Sequence, residues 1–358
     1  MTQKVLDDSN LHRNLLAKTT SGRRKSKSPP IPNSPRVVIL LGTHNGSAFL
    51  GEQIASIQNQ SYSEWELWIR DDRSADETPY LLDRFTGEDS RVRRLPDADQ
   101  RRGAAGNYGD LLAKARDAKA DYVFLADQDD VWRPDKIVRT LQVMADVESN
   151  VGADVPVLVH ADLAVTDEKL QVRHPSFMSY QRIRHQRDGL RTLLVQNFVT
   201  GCTCCVNRSL LDLACPLPED AVMHDWWLAL CAAGAGVIEF LPEPHVLYRQ
   251  HGKNEVGAMG FWTTLNLFRK SWRIASRASL REFLDTVSQS RAFRARVLER
   301  RHLFSATTIQ FVEEYCLLFE PHVGNLERVS GIRRLGVRRQ DMVRNLLLTF
   351  RLATISAN

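Results

Sequence analysis

The chain has 358 residues, 43% hydrophobic and 25% charged, enough to bury a sizeable core in two domains or in one domain with extensions. Its net charge of +5 is uneven: residues 1–36 carry +6, residues 261–358 carry +9, and residues 37–260 carry −10. An acidic centre between basic flanks argues against a nucleic-acid binder. No stretch approaches the roughly 18 apolar residues of a bilayer span, and no apolar segment follows the first charges, so a cytoplasmic protein is expected.

Residues 1–35 are basic and rich in Ser and Pro, and predict a disordered tail. Order begins at Val37–Leu41, a β-branched run between Pro35 and Gly42 that reads as a buried strand. Phe49, Leu50, Ile54 and Ile57 have helical spacing. Glu66–Ile69 is a second strand, ending at Asp71-Asp72, and Pro79–Phe85 is a helix with Asp76 as its cap. Asn107–Ala118 predicts another helix, and Asp121–Leu125 a third strand, which runs into Asp127-Gln128-Asp129-Asp130. Further on come a strand at Val157–His160, a glycine-containing β segment over Val195–Val206, and a helix over Asp225–Ala233. From Phe261 the signals are helical and rich in arginine. Alternating strands and helices imply a mostly parallel α/β sheet, whose ligands bind beyond the carboxyl ends of the strands.

The polar residues gather at those ends. Three carboxylates in the four residues Asp127–Asp130 repel one another unless protons or a cation intervene. Mg²⁺ and Mn²⁺ take oxygen ligands and bind through one or two carboxylates plus substrate phosphates. The competing reading is a solvated turn capping the next helix. An Asp at Asp71-Asp72 can accept the N3–H of a pyrimidine, or can simply cap a helix. Six cysteines, four of them within residues 202–215, lack paired CxxC spacing and read as small buried residues rather than a metal site.

Val37–Asn45, Glu52–Gln60, Asp71–Asp76 and Asp127–Pro134 resemble, in order and spacing, the family 2 glycosyltransferases of GT-A fold. Val131-Trp132 after the acid run, and Tyr248-Arg249-Gln250-His251 downstream, resemble the rhamnosyltransferase-like branch. The resemblance implies a GT-A nucleotide-diphospho-sugar transferase domain over 36–260, Rossmann-like with a mostly parallel sheet, followed by a helical, Arg-rich extension over 261–358. It implies Thr43, His44 and Asn45 around base and ribose, although the family usually has Tyr at His44. Asp72 would read a pyrimidine, and Asn107 would lie near the nucleotide-sugar. Asp127 and Asp129 form the DxD pair, with Asp130 beside them. Asp127 is assigned to the nucleotide, and Asp129, Asp130 and His251 to Mn²⁺ or Mg²⁺; which two carboxylates touch the ion stays open. Asp225, in Met223–Trp227, matches the base that deprotonates the acceptor in an inverting transfer, with His224 to orient it. Gly201 would pass close to the donor, and Arg249 and Lys253 would hold the diphosphate.

The implied partners are a dTDP- or UDP-sugar donor and a glycan or lipid-linked acceptor of a bacterial surface polysaccharide. Arginines interleaved with apolar residues from Ile332 to Ile355 suggest peripheral attachment to the anionic inner membrane face. Three rivals fit less well. A sugar-nucleotide pyrophosphorylase needs a basic glycine-rich loop after the first strand, and Gly42–Gly46 has no Lys or Arg. A hydride-transfer enzyme needs GxGxxG there. A non-catalytic glycan or lipid module has no use for intact Asp127, Asp129, Asp130 and Asp225.

Overall fold

The structure, a computed structural model, describes residues 35–97, 99–186, 189–252 and 272–354, with side chains in the last span from residue 280. The basic tail assigned to residues 1–35 lies outside the described residues but for Pro35, and so does Lys253.

The central strand β1 (Val37–Thr43) sends Val38 and Leu40 to one face of the sheet and Val37, Ile39 and Leu41 to the other, as strand alternation requires. The chain continues through α1 (Leu50–Gln58), β2 (Trp65–Asp71), α2 (Thr78–Glu88), β3 (Val92–Arg94), α3 (Gly103–Asp117), β4 (Tyr122–Ala126), β5 (Val131–Trp132), α4 (Lys136–Val151) and β6 (Val157–Ala161). Short strands β7 (Ala164–Thr166), β8 (Val172–His174) and β9 (Cys205–Asn207) follow, then α5 (Arg208–Ala214), α6 (His224–Ala235), β10 (Val237–Leu241) and β11 (Val246–Arg249). One sheet has the order β10-β6-β9-β4-β1-β2-β3 and is parallel except at β9. A smaller sheet, β5-β11-β7-β8, brings the strand before His251 beside the residues that follow the acid run.

Register fixes where the chemistry lies. Thr43 stands opposite Asp71, and Leu41 opposite Ala126, so β1, β2 and β4 end at one edge. The polar segments 43–45, 71–72 and 127–130 therefore meet in space.

The β segment expected over 195–206 is corrected: only Cys205–Asn207 is a strand. Upstream, the amides of Thr203 and Cys204 turn back to the carbonyls of Thr200 and Gly201, forming a 3₁₀ turn. A backbone bonded to itself in this way cannot join a ladder.

Among the described residues that follow are the helices α7 (Trp272–Glu299), α8 (Ala306–Leu317), α9 (Asn325–Arg334) and α10 (Met342–Thr354). Phe293, Phe304, Tyr315, Ile332, Leu348 and Leu352 join the same apolar core as Trp227 of α6. At Gly234 any Cβ would lie 2.8 Å from the Phe293 ring, so α6 and α7 meet at a contact only glycine allows. The segment 181–197 is gripped from the same side. Arg339 Nε donates to the Val195 carbonyl at 3.1 Å, the Gln340 amide to Gln196 Oε1 at 2.9 Å, and Arg344 to the Gln181 carbonyl.

Candidate active site

The loop after β1 and the acid loop after β4 are joined by one side chain. Gln128 Oε1 accepts from Thr43 Oγ1 at 2.6 Å and from the His44 amide at 2.9 Å, while its Nε2 donates to the His44 carbonyl. The imidazole of His44 reaches the Asp72 carbonyl at 2.9 Å. Asn45, exposed and at a left-handed φ of 49°, takes its amide to Ser74 Oγ and accepts from the Ala75 amide. Thr43, His44, Asn45 and Asp72 are thus one connected rim.

Asp72 is buried, and its two oxygens accept from the Arg102 and Gly103 amides at 2.7 and 2.8 Å. These are orphan donors at the start of α3, so the carboxylate caps that helix and keeps one lone pair per oxygen. Asn107 departs from expectation. It is 3% exposed, its Nδ2 donates to the Arg70 carbonyl, and its Oδ1 accepts from the Arg70 guanidinium. Its amide ties α3 to β2.

The three acids differ sharply in environment. Asp127 is half-buried, and burial followed by the charges of Asp129 and Asp225 pushes its carboxyl up to about 7. Asp129 faces His251, with Oδ2 2.9 Å from Nε2, and the His251 ring lies 4.7 Å from that of Phe49. Asp130 is wholly buried, and one oxygen accepts from the Arg249 amide at 3.2 Å. Burial, then Asp127 and Asp129, holds its carboxyl well above the usual range. Asp130, expected at the ion together with Asp129 and His251, lies on the inner side of the loop, fully buried. Arg249, expected at the diphosphate, turns inward as well. Its Nε donates to the Asp129 carbonyl at 2.9 Å, its other nitrogens reach the Glu168 carbonyl and Glu52, and it lies over Phe49. A guanidinium with its fork engaged this way positions the acid loop.

Asp225 sits in the first turn of α6. Oδ2 accepts from the Gly201 amide at 3.0 Å, Oδ1 from the Trp226 amide at 2.6 Å, and Asn197 donates to the same carboxylate. Burial raises it to about 6 despite these donors, which favour the charged form. A carboxyl tuned there is ionised at pH 7 yet basic enough to take a proton. His224 does not orient it. Its ring stacks on Tyr108 at 4.0 Å, both ring nitrogens are buried without a partner, and burial lowers its pKa to about 3, so it is neutral. Gly201 passes close to this turn: a Cβ would lie 3.0 Å from His224 Nε2, a tight contact, and 3.5 Å from Asp225 Cβ.

Sequence reasoning passed over several residues here. Gln128 stood inside the acid motif, but only its neighbours were weighed. Tyr108, whose hydroxyl donates to the Ala126 carbonyl beneath Asp127, adjoins Asn107 in sequence. Cys202 was set aside as a small apolar residue, yet its thiol lies among Asp127 and Asp130.

Residues 38–212 match the glycosyl transferase family 2 profile. The chain is similar to the dTDP-rhamnosyl transferase RfbG of Shigella flexneri, 25% identical over 245 residues that cover 65% of this chain and 80% of that protein. It is also 25% identical over 177 residues to WfgD of Escherichia coli, a UDP-Glc:alpha-D-GlcNAc-diphosphoundecaprenol beta-1,3-glucosyltransferase. That match covers 49% of this chain and 62% of WfgD. A mannosyltransferase from Pyrobaculum calidifontis, solved with GDP-Man and Mn²⁺, aligns over 96% of this chain and 86% of its own at a TM-score of 0.48 and 15% identity.

Proposed function

We propose, from the match to glycosyl transferase family 2 over residues 38–212 and the likeness to RfbG, that the chain is a nucleotide-sugar-dependent glycosyltransferase of GT-A fold and that it works by an inverting transfer in which Asp225 is the base. The observation that carries this is the carboxylate itself: buried, raised to about 6, and near enough to the acid loop that its charge acts on Asp127. The acceptor hydroxyl gives its proton to Asp225 as its oxygen attacks the anomeric carbon. The bond from that carbon to the leaving diphosphate oxygen breaks, and configuration inverts. The Gly201 amide and Asn197 fix the carboxylate for this approach.

The rim of Thr43, His44, Asn45 and Asp72 takes the base and ribose, with the remaining lone pairs of Asp72 facing a pyrimidine. Asp129 and His251, an oxygen and a nitrogen donor 2.9 Å apart at the mouth of the acid loop, fit Mn²⁺ or Mg²⁺. Such an ion, when bound, offsets the charge developing on the diphosphate. Asp127 stands between this pair and the nucleotide, and Asp130 holds the loop from beneath.

The donor we favour is dTDP-rhamnose, with a UDP-hexose second, because the RfbG likeness covers most of that protein. The acceptor we favour is a lipid-linked glycan of a surface polysaccharide. No helix among the described residues is long and apolar enough to cross a membrane. Peripheral attachment suits such an acceptor, and α10 offers a surface for it. Met342 and Leu346 are 78% and 65% exposed, and Arg333, Arg334 and Arg338, on the neighbouring α9 and the turn after it, are exposed too. The deciding test is a panel of nucleotide sugars incubated with acceptor and Mn²⁺, read by release of nucleoside diphosphate and by NMR of the new linkage. A product that retains the donor's anomeric configuration would remove Asp225 from its role.

A further inference from the structure

The acid loop has an inner face that the transfer does not use. Asp130 Oδ2 points into it, fully buried, and meets no donor stronger than the weak thiol of Cys202. Asp127 and Cys202 close around the same point: one ligand atom from each of the three residues lies within 4.8 Å of the others. Cys202 is carried there by the 3₁₀ turn after Thr200, and is itself wholly buried. Lys136, buried at the start of α4, supplies no hydrogen bond to the carboxyl. Its ammonium lies 3.7 Å from the centre of the Trp132 ring and has no hydrogen-bond partner. A buried carboxyl oxygen without a strong donor costs about 1–3 kcal/mol, which a cation that takes the place of the carboxyl and thiol protons relieves.

The donor set decides which cation. Two oxygens and a sulfur differ in kind from the oxygen and imidazole of Asp129 and His251. Mg²⁺ and Mn²⁺ avoid sulfur, whereas a thiolate selects Zn²⁺ and its heavier congener Cd²⁺. A tetrahedral zinc ion with Zn–S of about 2.3 Å and Zn–O of about 2.1 Å holds its donors roughly 3.5 Å apart. The present spacing, within 4.8 Å, has to close toward that figure as the ion binds.

We propose that Asp127, Asp130 and Cys202 form a site for a thiophilic divalent cation, Zn²⁺ foremost, on the inner side of the loop whose outer side takes the donor's ion. The proposal rests on the donor-site reading only through Asp127, which the two sides share. Zn²⁺ at the inner site draws Asp127 away from the nucleotide, so it inhibits transfer even where Mg²⁺ saturates the outer site. Binding displaces the thiol proton and any carboxyl proton into solvent.

The test uses Cd²⁺ titrated into the full-length protein in saturating Mg²⁺, followed by the ultraviolet charge-transfer band of a cadmium–thiolate bond. All six thiols are buried, so no surface cysteine competes. The expected result is a band that saturates at one Cd²⁺ per chain. It should be lost in Cys202→Ser and in Cys202→Ala, and be weakened roughly tenfold or more in affinity in Asp130→Asn. It should persist in Cys204→Ser, whose thiol faces the Thr200 carbonyl at 3.4 Å. Circular dichroism checks that each variant is folded. A folded wild type without the band, or a band that survives loss of Cys202, overturns the proposal. Calorimetric binding of dTDP or UDP with Mg²⁺ on the same wild-type sample tests the donor reading separately: its failure would leave the cadmium band standing.

Discussion

Replacing Asp225 by Asn removes the proton acceptor while keeping its outline. One amide oxygen still accepts from Gly201 or Trp226, so the loop and the first turn of α6 keep half of their contacts. Loss of a general base costs about 10² to 10⁴ in kcat. The wild-type carboxyl, raised to about 6 by burial, also sets a pH profile. With that pKa the ionised fraction rises from about 9% at pH 5 to about 91% at pH 7, so kcat should climb about tenfold across that interval and then level. The Asn variant should be slow and flat. A stability effect accompanies the kinetic one. The folded state holds this proton up to about 6 and the unfolded chain only to about 3.9, so folded Asp225 binds protons more tightly. Stability from this group is therefore present at low pH and lost as pH rises from about 4 to about 6, by roughly 3 kcal/mol. Nucleoside diphosphate release under saturating donor, from pH 5 to 8, gives the profiles, and calorimetry gives donor affinity. A variant that keeps more than about a tenth of wild-type kcat, or that keeps the same rising limb, refutes the assignment.

Other outcomes follow from the same contacts. EDTA should abolish transfer and Mn²⁺ or Mg²⁺ restore it, and Asp129→Ala and His251→Ala should each weaken metal-dependent nucleotide binding by calorimetry; full activity in EDTA would remove the ion from the reaction. Asp72→Ala should lower stability by about 1–2 kcal/mol in urea titration, because two amides at the start of α3 lose their acceptor, and should also weaken pyrimidine nucleotide binding. Gly201→Ala should lower kcat with little change in donor KM, since the new methyl meets His224 and the base rather than the rim. Leu346→Glu together with Arg333→Glu should abolish salt-sensitive binding to anionic vesicles at unchanged thermal stability; wild type that ignores such vesicles at low salt would count against attachment. Truncation at residue 332 would be a poor test of attachment, because Ile332, Val337, Leu348 and Leu352 belong to the core.

Much of the first half was legible because its signals are local. The buried run at Val37–Leu41, the helical spacing of Leu50, Ile54 and Ile57, and acids directly after strands each follow from periodicity. Parallel register then brings their ends together without further information. What escaped depends on contacts far apart in sequence. Nothing around Val195–Val206 announces that its amides will turn on themselves or that Gly201 will bond to Asp225. Asn107 and Arg249 carry polar groups that look available until Arg70, Glu52 and Glu168 arrive from elsewhere to occupy them. Burial separated Asp130 from Asp129, and no pattern within four consecutive residues encodes which neighbour lies inward. The arginines of the extension divide likewise: Arg339 and Arg344 work inside the fold, whereas Arg333, Arg334 and Arg338 face solvent.

The grip of the last helices on residues 181–197 has a mechanical consequence. Arg339 and Gln340 hold Val195 and Gln196, and the next residue, Asn197, donates to the Asp225 carboxylate. A shift of the α9–α10 connection, which carries Arg339 and Gln340, would be delivered one covalent step later to Asn197 and through it to the proposed base. Whatever leans on the outer helices, whether a lipid surface or a neighbouring protein, therefore has a lever on the chemical step, although it touches neither substrate.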